Sequence, residues 1–277
     1  MLLSLFALLL QAAPVDSTFG VGAHNPAYAP DGRLAVSVRG DLWVESTSGQ
    51  WTQITSGPAW DREPSWSADG SSIVFSSDRS GNFDLWRVSA SGGGEPEQLT
   101  TSPLPDEEPS VAPDGRIVFV RGRLGAAEIW VRLPNGAETR LTKDRAAEHW
   151  PAVSPDGSRV AYVAIADGTH KLHARNLDTD RDTVVLTDAR IERPAWSPNG
   201  DRLSWTASGA RGAVFVTPLD GRYANVLSTR HAESAWSPDG KTIALADITP
   251  DAVAPVSYNG DPDRTGDREA NLLSPSA

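Results

Sequence analysis

The sequence lacks cysteine altogether and contains a single methionine among its 277 residues. Without cysteine, the chain can form no disulfide, no thiolate metal site and no thiol nucleophile. It also has no long basic tract, and 25 basic against 36 acidic residues give a net charge of −11. Because such a chain would repel a nucleic-acid backbone, the sequence predicts no nucleic-acid partner.

Helical periodicity and the motifs of common enzymes are missing as well. No window keeps a 3.6-residue apolar period over a helical length. The sequence contains no G-x-S-x-G, no H-E-x-x-H and no G-x-x-x-x-G-K-[ST], which are the motifs of a nucleophile elbow, a zinc site and a phosphate-binding loop. The sequence therefore predicts no catalytic residues and no cofactor.

The N-terminal end begins with a short apolar run, Leu2 to Leu10 (LLSLFALLL), followed by the small residues Ala12 and Ala13. A bilayer span needs about 20 apolar residues, so this run is typical of a secretory signal instead. Residues 1–13 are predicted to be a signal peptide, with an uncleaved anchor or a buried terminal strand as alternatives. We expect no integral membrane segment in the mature product and a periplasmic or secreted location.

A repeated phrase runs through the rest of the chain. Its copies are APDG, SADG, APDG, SPDG, SPNG and SPDG, and their Asp or Asn residues stand at positions 31, 69, 114, 156, 199 and 239. The gaps of 38, 45, 42, 43 and 40 residues indicate one structural unit repeated six times. Asp and Gly at these positions favour a tight turn.

Each unit has the pattern of four short strands. Alternating apolar residues follow the turn, as in Ile73 and Phe75, and a strand such as DLWRV (84–88) comes next. Four-stranded units of about 40 residues are typical of propeller blades. The predicted fold is an all-β, six-bladed β-propeller of four-stranded antiparallel blades over residues 14–250, and the protein is predicted to be monomeric.

The last unit departs from this pattern. Residues 251–277 lack the aromatic third strand, although Ala270 to Ser274 (ANLLS) echoes ANVLS at 224–228 in the preceding unit. Residues 251–274 are predicted to form a degraded closing half of blade six. The alternative is a disordered tail, with the ring closed by residues 15–22.

The repeat resembles the WD-like β-propeller repeat of the TolB family. Residues 63–100 carry the likeness most fully, in EPSWSADG, SIVFSSDRSGNFDLWRV and EQLT, and the likeness extends over about residues 24–249. TolB is a periplasmic part of the Tol–Pal envelope system whose propeller binds partner proteins. The resemblance therefore implies a non-catalytic protein-binding module in the cell envelope. Family members carry a separate domain ahead of the propeller, whereas here the repeats begin soon after the predicted cleavage site.

The three residues before each repeat proline, or before Ser234 in the sixth unit, are predicted to surround one mouth of the central channel. Five of these six triplets contain a carboxylate. An acidic ring there would bind a basic segment of a partner or a cation, and the alternative is a set of solvated charges that pair locally. The predicted partner-binding residues are His24, Asn25, Asp61, Glu63, Glu107, Glu108, Glu148, His149, Trp150, Glu192, Arg193, His231 and Glu233.

A second, outer ring is predicted from the loops between the second and third strands. Its members are Arg39, Asp78, Arg79, Arg121, Arg123, Asp167, His170 and Arg211. Within the mouth itself, Trp150 is the one aromatic side chain and could serve as an exposed anchor for a partner.

The alternative function is a metal-dependent lyase or hydrolase at the same mouth. Imidazole and carboxylate groups are common ligands of divalent metals. The candidates are His24, His149 and His231 with Glu63, Glu108 and Glu233. His149 belongs to a blade across the channel from the other two histidines, so the sequence favours the binding module over a metal site.

Overall fold

A computed structural model of the chain describes residues 15–16, 23–123, 125–143, 145–188, 190–208, 212–221, 225–228 and 232–247. The predicted signal peptide (1–13), the predicted end of blade six (251–277), His231 and Arg211 lie outside these ranges. No helix in the described ranges has the length and apolar character needed to cross a bilayer.

Five sheets have four antiparallel strands each, paired in chain order. Strand β1 (Val15–Asp16) precedes them. Blade one contains β2 (Ala23–Tyr28), β3 (Leu34–Val38), β4 (Asp41–Glu45) and β5 (Trp51–Gln53), and blade two contains β6 (Asp61–Trp66), β7 (Ser72–Ser77), β8 (Asp84–Ser89) and β9 (Glu97–Gln98). Blade three contains β10 (Asp106–Val111), β11 (Ile117–Arg121), β12 (Glu128–Arg132) and β13 (Glu138–Arg140). Blade four contains β14 (Ala147–Val153), β15 (Arg159–Ala166), β16 (Thr169–Asn176) and β17 (Asp182–Asp188), and blade five contains β18 (Ile191–Trp196), β19 (Arg202–Ala207), β20 (Ala213–Pro218) and β21 (Asn225–Ser228).

The sixth sheet has three strands in the part of the chain that the structure describes. Strands β22 (Ala232–Trp236) and β23 (Ile243–Asp247) are antiparallel, and β1 pairs with β23 in parallel, Val15 opposite Ile243. The prediction of six four-stranded blades is therefore wrong in its count, since five sheets have four strands. The physical reason lies in the sixth repeat itself, which has no aromatic third strand in its sequence. Closure by residues 251–274 concerns residues outside the described ranges and stays a prediction.

The first strands of the six sheets form a closed ring. Each contacts the first strand of the next sheet, in the order β2, β6, β10, β14, β18 and β22, and β22 contacts β2 again. The sheets therefore radiate from a common centre, as the blades of a propeller do. This arrangement brings the residues just before the repeat prolines to the centre of the molecule.

Apolar side chains fill the spaces between neighbouring sheets. Leu42 of blade one packs in one cluster with Trp66 and Phe75 of blade two, and Trp196 of blade five packs with Leu172 of blade four. Each fully buried side chain of this size contributes about 1.5–3 kcal/mol relative to an exposed one. The core is thus divided among the interfaces between blades.

The repeated Asp-Gly phrase forms a turn in each unit, as the sequence predicts. In blade four, the Gly157 N–H group donates to the Ser154 carbonyl at 2.8 Å, and Gly157 has a φ of 72°. Only glycine adopts that backbone conformation without a steric penalty. The turn lies at the far end of the first strand from the residues before the proline.

Candidate functional site

A cavity of about 180 Å³ lies at the centre of the ring of first strands. It is lined by the residue immediately before the repeat proline in each unit, together with the prolines. We call these six residues the ring residues: Asn25, Glu63, Glu108, Trp150, Arg193 and Glu233. All six belong to the predicted partner-binding set, and the structure brings them together.

Five ring residues have a left-handed backbone conformation. The φ angles are 52° at Asn25, 59° at Glu63, 55° at Glu108, 54° at Trp150 and 50° at Arg193. Each one lies at a register shift between the first and second strands of its blade. A non-glycine residue in this conformation costs about 1–2 kcal/mol. The bulge thus turns one residue per blade away from the regular strand pattern at some cost in energy.

The sixth ring residue, Glu233, lies in a regular strand. Strand β22 pairs with β23 without a register shift, Glu233 lies opposite Ala246, and Ser234 replaces the proline found in the other units. Without the proline, the first strand can pair along its whole length. The sixth unit therefore differs from the others at the mouth as well as at its outer edge.

Hydrogen bonds link the ring residues in one direction around the channel. The Glu233 carboxylate accepts from the backbone N–H group of Asn25, and the Asn25 amide oxygen accepts from the N–H group of Glu63 at 3.3 Å. The Glu63 carboxylate accepts from the N–H group of Glu108 at 2.8 Å, and the Glu108 carboxylate accepts from that of Trp150 at 2.5 Å. Each side chain thus satisfies the backbone donor that the bulge exposes in the next blade.

Charge pairs surround this chain of hydrogen bonds. The Arg193 guanidinium lies 2.6 Å from the Glu233 carboxylate, and the Arg62 guanidinium pairs with Glu107 and lies over the Phe83 ring. Burial raises the pKa of Glu107, and the nearby charge of Glu63 raises it further, while Arg62 acts in the opposite direction. Two carboxylates therefore share one guanidinium at this side of the mouth.

His149 is the histidine that faces the ring carboxylates. Its Nδ1 lies 3.6 Å from the Glu108 carboxylate. Burial alone would lower the pKa of His149, but the hydrogen bond to Glu108 and the charges of Glu108, Glu107 and Glu63 raise it overall. A protonated His149 would offset part of the negative charge at the mouth.

In the five triplets whose first residue the structure describes, that residue does not line the cavity. Asp61 is 1% exposed and accepts two hydrogen bonds of 2.8 Å from Arg79. Glu148 is fully buried and accepts from the Thr142 hydroxyl at 2.9 Å. Burial takes both predicted residues away from the surface that a partner could contact.

Two members of the predicted outer ring are also committed to internal contacts. Arg79 holds Asp61, and Arg121 holds the buried Asp106 with bonds of 2.6 and 2.7 Å. At these two positions, the guanidinium groups of the predicted outer ring already pair with carboxylates of the same blade. These ion pairs hold the loop after β7 and the end of β11 against the first strands of their blades.

The middle residues of the triplets surround the ring residues and are half-buried: His24, Arg62, Glu107, His149 and Glu192. The predicted partner-binding set contains Asp61 and Glu63 of this triplet but not Arg62, because it was built on the acidic residues. It also missed Ser76, whose hydroxyl donates to Glu63 at 2.8 Å from the second strand. No spacing in the sequence signals that contact.

The described histidines and glutamates among the expected metal ligands do not gather into a cluster, and His231 lies outside the described residues. Among the residues that the structure describes, no group of three His, Asp or Glu side chains is arranged to hold a metal ion. The carboxylates of Glu63, Glu108 and Glu233 instead accept hydrogen bonds from backbone N–H groups. This geometry gives the metal-dependent enzyme no support.

Comparison with solved structures supports the fold. A solved structure assigned to TolB from Agrobacterium tumefaciens has a TM-score of 0.72 with 22% identity, and the match covers 82% of this chain and 90% of that one. An oligogalacturonate lyase in complex with manganese has a TM-score of 0.62 with 14% identity, and the match covers 83% of this chain and 76% of that one. At such identities, the likeness concerns the propeller fold alone.

Comparison of sequences identifies the family. The Tol-Pal system protein TolB of Bordetella pertussis is 37% identical over 161 residues, which are 57% of this chain and 36% of that relative. The match thus spans about a third of the relative's length. The family model described as the TolB beta propeller domain matches residues 11–152, which is half of the chain. The chain therefore belongs to the TolB β-propeller domain family.

Proposed function

We propose that this chain is an exported, non-catalytic protein-binding propeller of the bacterial cell envelope, with the cavity between the ring residues as its recognition surface. The sixth sheet acts as the sixth blade of the ring. The family and the relative in the Tol-Pal system support an envelope role in the periplasm. The proposed partner is a protein, and the chain acts as a monomer towards it.

The observation that carries the proposal is the charge of the cavity. Glu63, Glu108 and Glu233 line it, and Arg193 is the one basic side chain among the ring residues. Each of the three carboxylates accepts a hydrogen bond from a backbone N–H group of the next blade. Three carboxylates against one guanidinium leave a negative mouth, which suits a basic segment of the partner.

The test replaces the three carboxylates by their amides, in the variant E63Q/E108Q/E233Q. Glutamine keeps an oxygen that can accept the backbone hydrogen bond, so the ring can stay intact while three charges are removed. Proteins cross-linked to the variant and to the wild type in envelope preparations are identified and quantified by mass spectrometry. We expect at least one envelope protein to be captured by the wild type and reduced about tenfold or more with the variant.

A matched control removes three carboxylates at the other end of the first strands. The variant D69N/D156N/D239N places asparagine in the turn phrase, as the chain itself does at Asn199. We expect it to capture the same proteins as the wild type. If the two triple variants capture identical sets, the ring carboxylates do not recognise a partner and the proposal is wrong.

A further inference from the structure

One backbone donor at the mouth has no side-chain acceptor. Arg193 has the backbone conformation and register shift of Glu108, so its N–H group is directed towards the preceding ring residue, Trp150. An indole has only a donor and cannot accept this bond. Among the described residues, no side chain accepts a hydrogen bond from the Arg193 N–H group. The directional chain of hydrogen bonds is therefore interrupted between blades four and five.

The Arg193 side chain contains a second donor, its Nε–H group. Its Nε is buried and has no hydrogen-bond partner among the described residues. The guanidinium is held on the other side by the Glu233 carboxylate at 2.6 Å, and its central carbon lies 5.9 Å from the Trp150 ring centroid. A buried donor without an acceptor is unfavourable, so the Arg193 Nε–H group favours the arrival of an oxygen atom.

We propose that Trp150 and Arg193 form a subsite for a neutral oxygen acceptor, the main-chain carbonyl or side-chain carboxamide of a partner peptide. This inference rests on the proposed function, since it names the group that the mouth recognises. A ligand carboxylate is disfavoured because Glu63, Glu108 and Glu233 line the same cavity. The Trp150 ring and Pro194 supply an apolar wall for the atoms that carry the oxygen.

The test compares W150Q with W150F. A glutamine side chain is as long as that of Glu108, whose carboxylate accepts from the Trp150 N–H group. W150Q therefore supplies the missing acceptor, whereas W150F keeps an aromatic ring without one. Backbone and Arg Nε–H resonances are followed by ¹⁵N NMR during titration with N-acetylglycinamide, a neutral probe, and with N-acetylglycinate, its charged counterpart. Thermal melts confirm that both variants fold.

We expect N-acetylglycinamide to shift the Arg193 N–H and Nε–H resonances in the wild type and in W150F, and to lose this effect in W150Q. N-acetylglycinate should bind about tenfold more weakly. In the absence of a probe, the Arg193 amide should exchange with solvent more slowly in W150Q than in the wild type. Equal responses to the two probes, no response in the wild type, or an unchanged response in W150Q would each overturn the proposal.

The two proposals fail separately. If capture of envelope proteins is insensitive to E63Q/E108Q/E233Q but the neutral probe still shifts Arg193, the subsite exists and the proposed function is wrong. If capture depends on the ring carboxylates but Arg193 does not respond to the probe, the mouth binds its partner without this subsite.

Discussion

The carboxylates of Glu63 and Asp156 accept hydrogen bonds in two different settings. Glu63, at the mouth, accepts from the backbone of the next blade. Asp156, in the turn phrase, accepts only from its own turn, from the Ser154 hydroxyl at 2.5 Å and from the Ser158 N–H group at 3.0 Å. The first kind of bond joins blades and the second shapes a single turn. Substitutions at the two places should therefore have different consequences.

The turn carboxylate Asp156 is one source of acid sensitivity. The bonds from Ser154 and Ser158 lower the pKa of Asp156 to about 2. A lowered pKa in the folded state gives stability that is present above the unfolded pKa, near 3.8, and is lost as the pH falls towards 2. We expect D156N to lose less stability than the wild type between pH 4 and pH 2.

The measurement is the urea midpoint of the two proteins at pH 5, 4, 3 and 2. Because Asn199 fills the equivalent place in blade five, the substitution should leave the turn intact at pH 5. Parallel curves for the two proteins over this range would show that Asp156 does not contribute to the acid dependence.

At the scale of strands and blades, tryptophan side chains tie the first strands of blades two and five to the first strand before each of them. The Trp196 indole N–H donates to the Ala152 carbonyl of blade four at 2.7 Å, and Trp66 makes the equivalent bond to Ala27 of blade one at 2.9 Å. Both rings are largely buried in the apolar clusters between blades. A polar bond and apolar packing thus act at the same junction.

Loss of that indole bond should be measurable. We expect W196F to lower the free energy of unfolding by about 1–3 kcal/mol, because the part-buried Ala152 carbonyl loses its indole donor. The control is W51F, in the outer strand β5, where Trp51 is 38% exposed and a change within about 0.5 kcal/mol is expected. Both values come from urea unfolding followed by fluorescence, and equal effects of the two substitutions would contradict the role of the indole bond.

For the molecule as a whole, the sheet of β22 and β23 is the least supported part of the ring, counting the strands that the structure describes. Strand β23 is bordered by β22 and by the two residues of β1, whereas β19, its equivalent in blade five, is bordered by two longer strands. Fewer pairing partners mean a smaller cost of local opening. We expect the amides of β23 to exchange about tenfold faster or more than those of β19. Hydrogen exchange read by mass spectrometry or NMR tests this, and equal protection would indicate that the sixth sheet is completed as firmly as the others.

The sequence predicted much of this architecture because the repeat carries it. The Asp-Gly phrase predicted the turns, and Ser234 in place of proline marked the unit that departs from the rest. The sequence could not predict in the same way which residue of a triplet is buried and which lines the cavity. Asp61 and Glu63 are two residues apart, so a regular strand would point them to the same side, but the bulge at Glu63 leaves Asp61 buried and places Glu63 at the cavity. A register shift depends on pairing with another strand, which the local sequence does not record.

The single direction of the hydrogen bonds between ring residues also affects how the number of blades can change by duplication. The side chains of Asn25, Glu63, Glu108 and Glu233 each accept from the blade that follows. A tandem duplicate of such a unit would therefore bring along the acceptor that its own copy needs. A blade whose ring residue is Trp150 or Arg193 brings no acceptor. Duplication of such a blade would therefore interrupt the circle of hydrogen bonds at a second place. The number of units can therefore change most easily at blades whose ring residue is Asn or Glu.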